Sequence, residues 1–149
     1  MTAYRSYLAL AATLTVIAVN AAANTLRING YATGELSDMN PTGFTPAGWV
    51  FAIWSLIYTG LMAFSLAFIF GSEGVKTRAQ SVLVPYLVSA VANVAWLFAW
   101  HYRQVGVSFI FMLVILGSLA VIYRRLRQQI PSTFTERLLV HAPFSLYIG

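Results

Sequence analysis

The side chains able to do chemistry are few, and most are amides, hydroxyls and aromatic rings. The acids are Glu35, Asp38, Glu73 and Glu136, all between apolar stretches. The two histidines, His101 and His141, are forty residues apart. With no cysteine in the chain, thiolate metal sites, disulfides and cysteine nucleophiles are excluded. No nucleophile sits at a recognisable spacing from a base, and there is no phosphate loop or cluster of metal ligands. No Asp, Glu, Lys or Arg falls within an apolar stretch, so a proton relay or ion-coupled path lacks residues to carry it. Catalysis is not expected. His101 is read as interfacial rather than as a ligand to a metal or a chlorin magnesium.

What remains is a set of polar and aromatic residues at helical spacing. Tyr86, Ser89, Asn93, Trp96 and Trp100 are separated by 3, 4, 3 and 4 positions, which puts them on one face of a helix. Ser6, Thr13 and Asn20 recur every seven residues, with Asn24 one turn further on. Phe51, Ser55, Tyr58, Met62 and Ser65 form a similar row, and Ser108, Phe111, Ile115 and Ser118 another. Such faces turn away from lipid, because small residues admit close approach and polar ones hydrogen-bond between helices. Thr13, Ser55, Ser65, Ser89 and Ser108 are read as helix fasteners, each bond worth ~0.6 kcal/mol. Asn20 and Asn93 admit two roles, since an amide within a membrane has several hydrogen-bond positions to fill and faces either protein or a wet cavity. Trp54 and Trp96, with Tyr58 and Asn93, either pack helices or wall a pocket in which a flat aromatic ligand stacks. Trp49 and Trp100, at segment ends, read as parts of an interfacial aromatic belt.

The elements that position these residues follow from composition. Of 149 residues, 59% are hydrophobic and 9% charged, with a mean hydropathy of +0.73. A soluble domain carries about 25% charged residues, so the chain is expected to be an all-α integral membrane protein. Apolar segments cover about 7–23, 47–70, 81–100 and 105–123, each near the ~20 residues that cross a bilayer as a helix. Helix is dictated because every backbone polar group must be satisfied within its own segment. A further segment, 138–149, is too short to span, and the chain is expected to stop inside that helix. The expected architecture is therefore one domain, a five-transmembrane-helix bundle with an incomplete fifth helix. The Ala21-Ala22-Ala23 end of the first segment resembles a signal-peptidase site, but the segment is read as a retained helix. Residues 24–46 form an outer loop rich in Gly, Asn, Pro, Ser and Thr, a turn-laden cap or lid. Pro85 and Pro143 are expected near helix starts, where proline is tolerated.

The net charge of +5 reports orientation rather than nucleic-acid binding. Counted alternately across the segments, one side holds Arg5, Lys76, Arg78, Arg124, Arg125, Arg127 and Arg137, and the other only Arg27 and Arg103. Basic residues gather on the cytoplasmic side, which places the N-terminus there and the outer loop outside. The few residues around 101–104 make the third and fourth helices an antiparallel hairpin.

The stretch PAGWVFAIWSLIYTGL (46–61) resembles the second helix of the tryptophan-rich sensory protein family, bacterial relatives of the mitochondrial translocator protein (TspO/MBR type). Trp49, Val50, Phe51, Trp54 and Tyr58 match its motif, with one fewer residue between the tryptophans. ANVAWLFAW (92–100) is similar to the family's Leu-Asn-x-x-Trp stretch and puts Asn93 and Trp96 at its signature positions. HAPFSLY (141–147) resembles the Pro-Tyr-Leu opening of the family's fifth helix through Pro143 and Phe144. The family's Trp-Tyr…Lys-Pro approach is missing, and INGYATGELSD (28–38) stands in its place, as in a divergent bacterial branch. The resemblance implies a binder of porphyrins and sterol-like lipids in the bacterial inner membrane, with an interhelical pocket capped by the first loop. Tetrapyrrole sensing, transport and photodegradation are the roles it suggests. Carried over by position, the pocket residues are Trp54, Tyr58, Asn93 and Trp96, to which the polar faces add Asn20 and Tyr86. The expected function is non-catalytic binding of a porphyrin, haem, chlorophyll-type tetrapyrrole or other flat hydrophobic small molecule, with no cofactor required. The alternative is a structural or accessory subunit of a photosynthetic or respiratory membrane complex. The lipid bilayer is an expected partner, a homodimer or larger complex is left open, and no nucleic acid is expected. A small transporter is disfavoured by the lack of charge within the segments.

Overall fold

The structure, a computed structural model, describes residues 3–39, 52–131 and 133–149, and among these every regular element is helical. Helix α1 covers Ala3–Thr25, α3 Ile53–Phe70, α4 Glu73–His101 and α5 Val105–Arg127, and these four are long and apolar enough to cross a membrane. A 3-10 turn, Ile28–Gly30, and the short α2, Thr33–Asp38, lie between α1 and α3. After α5 come α6 (Phe134–Glu136), a π-helical turn (Arg137–His141) and α7 (Ala142–Ile148). The expected fifth helix is thus irregular. Pro143, just inside the start of α7, has no N–H to donate to the preceding turn. The seven residues of α7 rise only about 10 Å. They pack between α3 and α5.

The helices reach beyond the apolar segments. Helix α4 begins at Glu73 rather than near residue 81, where Ser72 caps it by accepting a bond from the Val75 N–H at 3.4 Å. Its 29 residues rise about 43 Å, against the ~30 Å thickness of the hydrocarbon. Its first turns therefore project past the lipid core with Lys76 and Arg78. Likewise α5 continues to Arg127 and α1 contains Arg5, so most of the basic residues outside the apolar segments lie on helix ends. Hydropathy marks where lipid lies, whereas helices continue as long as caps and backbone bonds allow. The start of the second expected segment, including Trp49, Val50 and Phe51, lies outside the described residues.

Pro85 lies inside α4, not near its start. A proline there leaves the carbonyl four residues earlier without its partner. That carbonyl belongs to Ser81, and Arg125 Nη1 donates to it at 2.7 Å. Gln129 Nε2 donates to the Ser81 hydroxyl at 3.0 Å. The break in α4 is thus closed by the end of α5.

Helix α4 is the central column, touching α1, α3, α5 and the π-helical turn. The α4–α5 pairing is the expected antiparallel hairpin, turning at Arg103 with φ 59°. In the core, Phe64 meets Phe144 and Tyr86 edge-on, with ring centroids 4.8 and 5.2 Å apart. Beside them the Thr13 hydroxyl bonds both Ser65 and Tyr86, joining α1, α3 and α4. Ser89 and Ser108 are also buried, but their hydroxyls donate to carbonyls of their own helices. At the basic end, Arg78 ties α4 to the segment after α5. It donates to the carbonyls of Gln129 and Ile130 at 2.9 and 2.6 Å, and its Nε lies 3.4 Å from the buried Glu136 carboxylate. Phe109, Ile110, Leu113 and Leu116 of α5 are exposed, as suits a lipid-facing surface.

Candidate functional site

At the opposite end of the bundle the polar stripes converge. Asn20 and Asn93 are nearly or fully buried. Asn20 Nδ2 donates to the Val16 carbonyl at 2.8 Å and to Asn93 Oδ1 at 2.9 Å. Asn93 Nδ2 donates in turn to the Tyr147 hydroxyl at 3.1 Å. Asn24, one turn beyond Asn20, donates to the Asn20 carbonyl at 2.9 Å. The amides therefore link α1, α4 and α7 by the reciprocal pairing that buried polar groups require.

Against this network stand the aromatic rings. Trp54 stacks with Trp96 at 6.2 Å and an interplanar angle of 22°, and with Tyr58 at 5.9 Å and 29°. Tyr147 meets Trp54 edge-on at 6.2 Å. Trp54, Tyr58 and Trp96 are only partly buried. They face an open cavity of about 590 Å3, whose other walls are Ile17, Asn20, Ala21 and Asn24 of α1, Ser55 of α3, and Ala32, Thr33, Gly34, Glu35 and Asp38 of the outer loop. A second recess of about 570 Å3 shares Thr33, Trp54 and Trp96 and adds Ile57, Trp100, Ser108, Met112 and Tyr147 among others. The same two tryptophans thus face both spaces.

The outer loop is an ordered cap over its described part. Leu36 is buried. Glu35 accepts from the Ala32 N–H at 2.9 Å and pairs with Arg27 at 3.0 Å. Thr33 is tied at both backbone ends, its N–H to Asn24 Oδ1 at 3.3 Å and its carbonyl to Trp100 Nε1 at 3.4 Å. Asn29 Nδ2 donates to the His101 carbonyl at 3.0 Å. Asn29 has φ 57°, a left-handed conformation that asparagine tolerates better than most residues. The Thr33 hydroxyl is buried without a partner beside both cavities. Residues 40–51 lie outside the described residues.

Of the six residues expected at a pocket, Asn20, Trp54, Tyr58 and Trp96 line the first cavity. Asn93 lies directly behind, holding Asn20 and Tyr147 in place. Tyr86 lines neither cavity and belongs to the core fastener with Thr13 and Ser65. Ser55, read as a fastener, is exposed and on the cavity wall. His101, the last residue of α4, is covered by protein rather than open at its surface. It is fully buried, with Nδ1 against the Leu97 carbonyl at 2.8 Å, because the outer loop folds over the end of α4. Among the described residues no group of three or more His, Asp or Glu could hold a metal ion. Tyr147, Asn24 and Thr33 were not expected at the site. Asn24 had a signal in its one-turn spacing from Asn20, but the place of Tyr147 depends on how α7 docks.

The arrangement offers aromatic faces for stacking, an apolar floor and a polar rim, the usual composition of a ligand cavity. A family model described as TSPO-like protein matches residues 6–149. No curated protein and no solved structure matches the chain.

Proposed function

The chain belongs to the TSPO-like family, and on that premise we propose that this integral membrane protein binds a flat hydrophobic ligand of the tetrapyrrole type without transforming it. The observation that carries the reading is the Trp54–Trp96 stack, extended by Tyr58, on the wall of an open cavity of about 590 Å3. That volume falls within the roughly 300–1,000 Å3 of small-molecule sites. Offset and edge contacts with aromatic faces contribute about 0.5–1.5 kcal/mol each, and a macrocycle meets several rings at once. Asn20, Asn24 and the Thr33 hydroxyl supply hydrogen bonds at the rim. Asn93 is a positioning residue: it holds Asn20 and Tyr147 and reaches a ligand only through them. A sensor or carrier role accords with a cavity walled by stacked aromatic rings. The basic end faces the cytoplasm of a bacterial inner membrane, and the cavity opens on the other side.

The test is a fluorescence titration of the purified chain with protoporphyrin, haem and a chlorophyll precursor. Saturable tryptophan quenching is expected. Trp96→Phe and Tyr58→Ala should weaken it about threefold to tenfold, the value of one aromatic contact. Quenching that does not saturate, or that ignores both substitutions, would make the rings packing elements and favour an accessory-subunit role.

A further inference from the structure

A third cavity lies at the other end of the molecule, away from the aromatic site. It measures about 330 Å3 and is bounded by Tyr123, Leu126 and Arg127 of α5 and by His141, Phe144 and Ser145. Its volume is many times the ~30 Å3 share of one water, enough for a phosphate group and a small polar substituent. The walls divide by chemistry: Leu126 and Phe144 are buried and apolar, Arg127 and Ser145 exposed and polar. His141 Nε2 is buried without a hydrogen-bond partner, so the polar balance of this corner is incomplete within the protein.

Charge at this end is one-sided. Lys76, Arg78, Arg124, Arg125, Arg127 and Arg137 gather there against Glu73 and Glu136. Both acids are engaged, Glu73 with Lys76 and Glu136 with Arg78. Arg125 is turned to the Ser81 carbonyl. Arg127, in the last turn of α5, is the arginine that lines the cavity. Because α5 crosses the bilayer and ends here, its final turn lies at headgroup depth, where tyrosines such as Tyr123 also gather.

We propose that this cavity binds the phosphate of an anionic phospholipid headgroup, with Arg127 as the charged contact and Leu126 and Phe144 beside the start of an acyl chain. A guanidinium forms charge-assisted hydrogen bonds to phosphate oxygens, and the Tyr123 and Ser145 hydroxyls can donate to the headgroup. The shared chemistry is a phosphate oxyanion. A lipid is preferred to a soluble phosphate because the site borders the apolar surface of a spanning helix.

Native mass spectrometry of the full chain, released from micelles containing equal phosphatidylglycerol and phosphatidylcholine, tests this. One phosphatidylglycerol should be retained in preference to phosphatidylcholine. Arg127→Gln should lower that retention about fivefold, the loss of one basic residue at an anionic lipid surface. Arg127→Lys should retain part of it. Arg124→Gln, which removes the same charge outside the cavity, should lower it clearly less than Arg127→Gln does. If Arg127→Gln unfolds, Ser145→Leu fills the cavity without altering charge and should exclude the lipid. Equal retention of the two lipids, or equal effects of Arg124→Gln and Arg127→Gln, would overturn the proposal in favour of diffuse surface charge. Displacement of the lipid by millimolar glycerol phosphate would overturn the lipid assignment and leave a site for a soluble phosphate.

Discussion

A carboxamide in hydrocarbon has several hydrogen-bonding positions to fill, and the Asn93 oxygen accepts from Asn20 while its nitrogen donates to Tyr147. The bonds connect three helices, so their loss should be felt jointly. A double-mutant cycle of Asn20→Ala and Asn93→Ala, read by reversible unfolding in micelles, should give a coupling of about 0.6–1.7 kcal/mol. Additive effects would mean that the amides act independently. The cavity rim also carries a sign. Asp38 is exposed on the cavity wall, and Glu35 is already paired with Arg27. A ligand carboxylate near Asp38 is repelled by about 1 kcal/mol at 4 Å in water. Asp38→Asn should therefore strengthen protoporphyrin binding up to about fivefold at low salt. The dimethyl ester, which has no charge to repel, should bind both forms alike.

Elements are joined where one helix supplies what another lacks. Pro85 removes a donor from α4, and Arg125 of α5 satisfies the freed Ser81 carbonyl. Arg125→Gln should cost about 1 kcal/mol of stability, the net worth of such a bond. In a Pro85→Ala background the helix recovers its own hydrogen bond, and the same substitution should cost less. Thermal unfolding of the four proteins measures the difference. The join between α3 and α7 depends on a missing side chain instead. A Cβ at Gly60 would come within 3.2 Å of Pro143 Cβ. Gly60→Val should push α7 outward, destabilise the protein by about 1–3 kcal/mol and loosen Tyr147 against Trp54. A weakened titration of both tetrapyrrole and stability would follow. An unchanged melting temperature would show that the two helices are free to move apart.

On the scale of the whole molecule, the two ends differ in charge and in architecture. One end carries the arginine-rich tips of α4 and α5, and the other carries the folded cap with Arg27 and Arg103. The proposed orientation makes a direct prediction, because the chain has no cysteine to give a background signal. Cysteine introduced at Arg103 should react with a membrane-impermeant thiol reagent in intact cells, and cysteine at Arg127 should react only after permeabilisation. The opposite pattern would invert the topology and put the aromatic cavity on the cytoplasmic side.

The membrane class, the spanning helices and their polar faces were readable from residue order, because lipid enforces two local rules. A span must be apolar, and its polar side chains turn inward or bond back to their own helix, as the exposed Thr15 and Thr59 do. Thus Thr13, Asn20, Ser65, Ser89 and Asn93 are buried as their spacing required, and the Trp54–Trp96–Tyr58 wall could be anticipated. Helix ends were less readable, since Ser72 and Arg125 extend or repair α4 by hydrogen bonds that hydropathy does not record. Only the tertiary structure decided that Tyr86 joins Thr13 in the core while Asn20 lines the cavity, that Tyr147 closes the amide chain, and that His101 is buried beneath the loop. Each of these depends on which residue of a distant helix lies opposite, and a periodic pattern specifies a face without specifying its neighbour.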